Sequence, residues 1–245
     1  MNHLTKYPYL NQYVSNLKSI PGGTYMFGAS SPASDDGWAT FMSKPGTHKT
    51  IAPFRVGATP VTWGIWKEYR QSFFVSGKRS TLPDDPGWGY PDDHPVVNVS
   101  WEDIMNPGGF CEWASDVAGF NLTLPTDAQF EYAARGGKDG LNYPWGNDFD
   151  MEKLWCSIFL DAGKTAAVDR SNRIYRNDYG LTDMIGNVQQ WCADYGNDAD
   201  RDYSLVRGGS WNKSNPLSFR CAYRYLNYPD KRNITIGFRL STGAK

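Results

Sequence analysis

The chain has 245 residues, with 25 Lys+Arg against 26 Asp+Glu, and 40% of it is hydrophobic and 21% charged. This balance excludes wholesale disorder, and the length suffices to bury a core without disulfide or metal staples. No stretch approaches the ~20 apolar residues that cross a bilayer, so membrane insertion is not expected, and Met1–Ile20 lacks the apolar centre of a secretory signal.

Ten Trp and 15 Tyr beside 25 Gly and 15 Pro point to a compact, loop-rich, irregular domain. Residues 1–18 read as a short N-terminal helix or arm, and 19–245 as one domain. Pro21-Gly22-Gly23 turns into a strand through Gly28, and Ser30–Gly46 is a loop by its Ser, Asp, Gly and Pro. Phe54–Pro60 suits a strand. A helix is expected from Trp63 through Tyr69, with Thr62 as its N-cap. Leu82–His94 carries three Pro and two Gly and must be an ordered excursion. Ser100 followed by Asp103 has capping-box spacing, and the apolar positions of that helix run on past Gly108-Gly109 towards Ala114. The best-marked helix follows Thr126, with Gln129 at the box position and Gly136-Gly137 as the stop. From Tyr143 on, short apolar pieces alternate with Gly, Asn and Asp turns, as small strands and structured loops do. There is no linker and no repeat.

Cys111, Cys156, Cys192 and Cys221 lie far apart, and His3, His48 and His94 are equally scattered. Neither zinc nor a two-His-one-carboxylate iron site fits such spacing. Reduced, buried thiols are the favoured state, with disulfides left open.

The ordered strings Pro21–Gly28, His94-Pro95-Val96-Val97-Asn98-Val99-Ser100-Trp101, Leu124–Gly137, Tyr143-Pro144-Trp145-Gly146, Tyr179–Val188, Val206-Arg207-Gly208-Gly209-Ser210-Trp211 and Ile236–Leu240 resemble the sulfatase-modifying-factor family, the domain of formylglycine-generating enzymes. The resemblance covers residues 20–240 and implies a single α+β domain of the C-type-lectin type, with small antiparallel sheets, two main helices and much irregular loop. Glu131, Arg135, Arg207 and Arg239 fall in these strings, and are expected to hold loops by pairing rather than to catalyse.

The family's oxidase holds copper with two thiols between the Gly-Gly-Ser turn and the next Arg-x-Ala-x-Arg strand. Here that interval, Asn212–Phe219, has no Cys, and Cys221 lies in the strand motif itself. The resemblance therefore implies a chain without that metal centre, so no catalytic residue, metal or cofactor is expected. A calcium site is also common in the family. Its positions here are Asp183, Gly186, Val188 and Gln190, with Gln in place of the usual Glu, which removes a charge that Ca²⁺ affinity depends on. A structural turn is the expectation.

Between the fixed strings, Asn212–Thr235 is crowded with Asn, Ser, Tyr and Thr. This resembles the variable protein of a diversity-generating retroelement, where a reverse transcriptase randomises template adenines, above all in AAC codons. Asn215, Leu217, Ser218, Tyr223, Tyr225, Leu226, Asn227, Tyr228, Asn233, Ile234 and Thr235 all fit an AAC origin. Lys213 does not, and is fixed or templated by another codon. These twelve positions, within a variable region 206–240, are the expected ligand-binding set. Tyr gives rigid amphipathic area and Ser/Asn adaptable hydrogen bonds, the mixture found in paratopes. Tyr223 and Tyr225 would share one strand face.

The implied function is a non-enzymatic display protein, monomeric, gripping a protein or cell-surface ligand such as a phage's host receptor. It would be made in the cytoplasm and shown on a virion or cell surface. The alternative is a metal-dependent oxidoreductase of the formylglycine-generating type with relocated ligands. From residue 201 there are nine basic and two acidic residues, yet nucleic acid is not an expected partner, because Arg207, Arg220, Arg224 and Arg239 belong to scaffold strings.

Overall fold

The computed structural model describes residues 3–29, 46–75, 82–157, 163–172, 174–195 and 202–242. The loop expected over Ser30–Gly46 lies outside them except for Gly46, and so does the end of the chain from residue 243.

Helix α1, Pro8–Ser15, starts on a proline, which suits the first helical turn. Its N-terminal N–H groups find no cap nearby in sequence. Glu68 supplies one instead, accepting from the backbone N–H of Tyr9 and of Leu10 at 2.9 Å each. Leu10, Tyr13 and Val14 share one face and are buried. The Tyr13 hydroxyl donates to the Thr59 carbonyl at 3.1 Å and accepts from the Leu240 N–H at 3.0 Å. The opening residues are thus fastened to the chain's end.

Helix α2, Trp63–Val75, runs past its expected end at Tyr69. The stripe Trp66, Tyr69, Phe73 continues at helical spacing, with ring centroids 5.2 and 5.0 Å apart. Helix α3, Trp101–Met105, has the Ser100–Asp103 capping box, but the pattern does not run through to Ala114 as one helix. Pro107 forces Asn106 into an extended conformation, and a separate helix α4 covers Phe110–Ala118, ended by Gly119 in the left-handed region. Helix α5, Asp127–Ala134, shows the expected Thr126–Gln129 box.

Strands β1 (Lys18–Ile20) and β4 (Phe54–Val56) pair antiparallel, as do β2 (Gly23–Phe27) and β3 (Thr47–Ile51). The strand expected over Phe54–Pro60 stops at Val56. Gly57 instead turns under Tyr13, whose hydroxyl lies 1.8 Å from where a Cβ would stand. The main sheet has the order β7-β6-β5-β8, from β5 (Gln189–Tyr195), β6 (Ser204–Arg207), β7 (Arg224–Asn227) and β8 (Ile236–Gly237). Only β5–β8 is parallel within it.

Trp66 stacks on Phe110 at 5.2 Å, and Phe238 meets both rings edge-on. This core joins α1, α2, α4 and one side of the sheet. A second core lies between α5, β2, β4 and the other side. Full burial of such side chains contributes ~2–3 kcal/mol each.

Candidate functional site

The hairpin of β6 and β7 carries the centre of the expected binding region. Its register pairs Val206 with Tyr225, Leu205 with Leu226 and Ser204 with Asn227, and β7 is an edge strand. Successive side chains on a strand point to opposite faces. Arg224 and Leu226 go down to α5 and the second core, while Tyr225 packs beside the first.

The lower face is a buried ion network. Asp127 pairs with both Arg207 and Arg224. Glu131 pairs with Arg207 at 3.0 Å and with Arg135 at 2.9 Å, and accepts from the Gly28 N–H at 2.7 Å. Arg207 also donates to the Cys221 carbonyl at 2.7 Å. Burial pulls the Arg224 guanidinium down to about 10. Arg239 is likewise lowered to about 10 by burial, and its donors go to Gln190 Oε1 at 2.6 Å and to the carbonyls of Gly57, Thr182 and Asp183. Glu131, Arg135, Arg207 and Arg239 are therefore loop-holding groups. Arg207, Arg224 and Arg239 are buried, so three of the nine basic residues from 201 on serve the interior, while Lys231 and Arg232 are exposed.

The four positions associated with calcium surround a turn in which Asp183 and Asn187 take left-handed φ of 50° and 60°. Arg170 clamps the Asp183 carboxylate through two donors at 2.9 and 2.6 Å, and Asn187 adds a third at 2.9 Å. Gln190 turns its amide N–H to the Asp183 carbonyl at 2.7 Å and its oxygen to Arg239. With the carboxylate and both ends of the amide engaged, these residues do not fit a cation. All four cysteines are buried thiols. Burial pushes Cys192 and Cys221 up to about 12 and also raises Cys111, so the thiolate that binds copper is disfavoured. Among the described residues no three His, Cys, Asp or Glu side chains gather as metal ligands.

The twelve expected binding positions divide by exposure. Asn215, Tyr228, Asn233 and Ile234 are exposed, Tyr228 at 46% and Ile234 at 36%. Lys213, Leu217, Tyr225, Leu226 and Asn227 are half-buried, and the Lys213 ammonium lies 5.7 Å from the Tyr225 ring centre. Ser218, Tyr223 and Thr235 are buried, which corrects the expectation of twelve solvent-facing side chains. Tyr223 precedes β7, in a turn closed by its N–H on the Arg220 carbonyl at 2.9 Å. Thr235 is drawn in by Asn233, whose Oδ1 accepts from both its N–H and its hydroxyl at 2.9 and 2.7 Å. The expected shared face of Tyr223 and Tyr225 thus exposes one ring in part and hides the other.

The loop after β7 is pinned at three points. The Glu102 N–H donates to the Pro229 carbonyl at 3.2 Å, and the Asn98 N–H to that of Asn233 at 3.0 Å. Arg232 grips Asp103 through two donors at 2.9 and 2.6 Å. Two aromatic residues that sequence reasoning missed join the region. Tyr203 packs at a tilt of 35° against Tyr228, ring centroids 4.6 Å apart, with the hydroxyls 3.0 Å apart. Trp88 meets Trp211 edge-on at 5.6 Å, and the Trp211 indole N–H donates to the Ile234 carbonyl at 3.2 Å. Tyr203, just before β6, was findable as the cross-strand neighbour of Tyr228. Trp88 had only its flanking glycines as a signal.

Comparison with known proteins agrees with this geometry. The pattern of the sulfatase-modifying factor enzyme 1-like domain matches residues 10–243. A Bos taurus protein named inactive C-alpha-formylglycine-generating enzyme 2 is 31% identical over 285 residues, 96% of this chain and 90% of the relative. A Thermomonospora curvata protein named formylglycine-generating enzyme is 31% identical over 223 residues, 78% of this chain and 69% of the relative. Among solved structures, Treponema denticola variable protein 1 superposes with a TM-score of 0.71 at 22% identity, over 92% of this chain and 94% of that one, a likeness of fold. On fold and sequence together, the chain belongs to the sulfatase-modifying factor (formylglycine-generating enzyme) family and has its C-type-lectin-type α+β fold.

Proposed function

We propose that the chain is a non-enzymatic display protein whose β7 strand and following loop grip a protein or cell-surface ligand. It works as the variable protein of a diversity-generating retroelement, and a phage's host receptor would be one such ligand. The observation that carries this reading is the division at β7. Exposed or half-exposed Tyr225, Asn227, Tyr228 and Ile234 share no hydrogen bond or ion pair with the buried network of Asp127, Glu131, Arg207 and Arg224 among the described residues. Binding here is the work of Lys213, Asn215, Leu217, Tyr225, Asn227, Tyr228, Asn233 and Ile234, with Tyr203 and Trp88 as fixed neighbours. A central Tyr in such an interface contributes ~2 kcal/mol or more. The protein acts as a monomer and uses neither nucleic acid nor a membrane as its partner.

The test is the surrounding DNA. The reading expects a near-copy of the stretch encoding Val206–Leu240, differing at adenines, beside a reverse transcriptase gene. A locus holding neither would contradict it. The second reading, oxidation by a relocated metal site, is favoured by the 31% identity to a relative named as an enzyme. Purified protein loaded with copper and offered a thiol peptide would then consume oxygen; absence of uptake removes that reading.

A further inference from the structure

A cavity of about 410 Å³ lies between α1, the start of α2, and the segments around Asp92–Asp93 and Val168–Asp169. None of its walls comes from the variable region. Ala58, Ile65 and Val168 give it an apolar lining beside the Tyr9 ring. Asp92 is satisfied by Lys67 Nζ at 2.6 Å and the Tyr9 hydroxyl at 2.9 Å. The Asp93 and Asp169 carboxylates make no ion pair or side-chain hydrogen bond among the described residues. Thr62, only 8% exposed, also lines the cavity, and its hydroxyl has no hydrogen-bond partner among the described residues.

We propose that this cavity binds a small organic ammonium ion. Asp93 and Asp169, both exposed, place two carboxylates without an ion partner among the described residues beside one space, which favours a positive charge there, and three cations of the neighbouring segments are engaged with other groups. Lys67 serves Asp92, Lys18 is held by Asn16 Oδ1 at 2.7 Å, and Arg170 is clamped on Asp183. The Thr62 hydroxyl is a neutral acceptor for one more N–H. The apolar lining and a volume in the range of organic-ligand pockets (~300–1,000 Å³) suit a hydrocarbon body better than a bare metal ion. The Tyr9 ring adds a face that attracts cations.

Calorimetry and melting curves with 2-phenylethylamine, against phenylacetate and Ca²⁺ as controls, test this. The amine is expected to bind and to raise the melting temperature, while phenylacetate and Ca²⁺ leave both unchanged. Asp93→Asn with Asp169→Asn should weaken the amine about tenfold or more, and Thr62→Val by about threefold. Circular dichroism identical to the parent confirms that both variants fold. No amine binding at ~10 mM, equal binding of phenylacetate or Ca²⁺, or amine binding unchanged in the double variant would each overturn the proposal.

Discussion

Arg224 and Tyr225 are neighbours on β7, and their surroundings could hardly differ more. Arg224 descends into a network with Asp127, Arg207, Glu131 and Arg135, where each charge depends on the others. Tyr225 stands on the other side, half exposed, touching Lys213. A strand's two-residue period can therefore separate what holds the hairpin from what is free to change. The loop beyond repeats the division. Arg232, Pro229 and Asn233 dock it to α3 and its approach, and Tyr228 and Ile234 project.

The largest effect should come from the underside. Arg207→Ala leaves Asp127 and Glu131 buried with part of their charge unmatched, and is expected to cost ~3–5 kcal/mol in chemical denaturation. A cost within ~0.5 kcal/mol would mean that the network does not hold the hairpin. Next come two tyrosines of equal size. Tyr223→Ala removes a buried ring and should cost ~3 kcal/mol, whereas Tyr228→Ala should stay within ~0.5 kcal/mol. Similar losses for both would erase the contrast between the two faces.

Alkali probes the interior. Cys192 and Cys221 stay protonated to about 12 in the folded chain, while in the unfolded chain thiols ionise near ~8.5. The unfolded state then binds fewer protons, so stability falls as pH rises. Denaturation at pH 8 and pH 9, below the point near 10 where Arg224 and Arg239 titrate, should show a drop of ~0.7 kcal/mol per buried thiol. A flat profile would mean that these thiols ionise freely when folded. The smallest effect is that of Arg232→Ala. Its pair with Asp103 is half exposed and screened, so the stability loss should be ~0.5 kcal/mol. Hydrogen exchange across residues 229–234 should nevertheless quicken, and unchanged exchange would show that the backbone bonds alone dock the loop.

What could be read from sequence was local. Ser100–Asp103 and Thr126–Gln129 are boxes closed within one turn, so spacing revealed both. The α3–α4 break was masked by apolar residues continuing on both sides of Pro107. Burial of Tyr223, Ser218 and Thr235 depends on turns that bring distant segments over them, and an AAC-like residue type says nothing of depth. The engagement of Asp183 by Arg170, across a separation of 13 residues, left no motif. Trp88 reaches Trp211 from an excursion whose course its prolines and glycines left open.

The most direct measurement compares two libraries for protease resistance on a display host. One randomises Lys213, Tyr225, Asn227, Tyr228 and Ile234, the other Asp127, Glu131, Arg207 and Arg224. Most members of the first should remain resistant and most of the second should be cut. Equal survival of the two libraries would contradict a fixed underside carrying a changeable face.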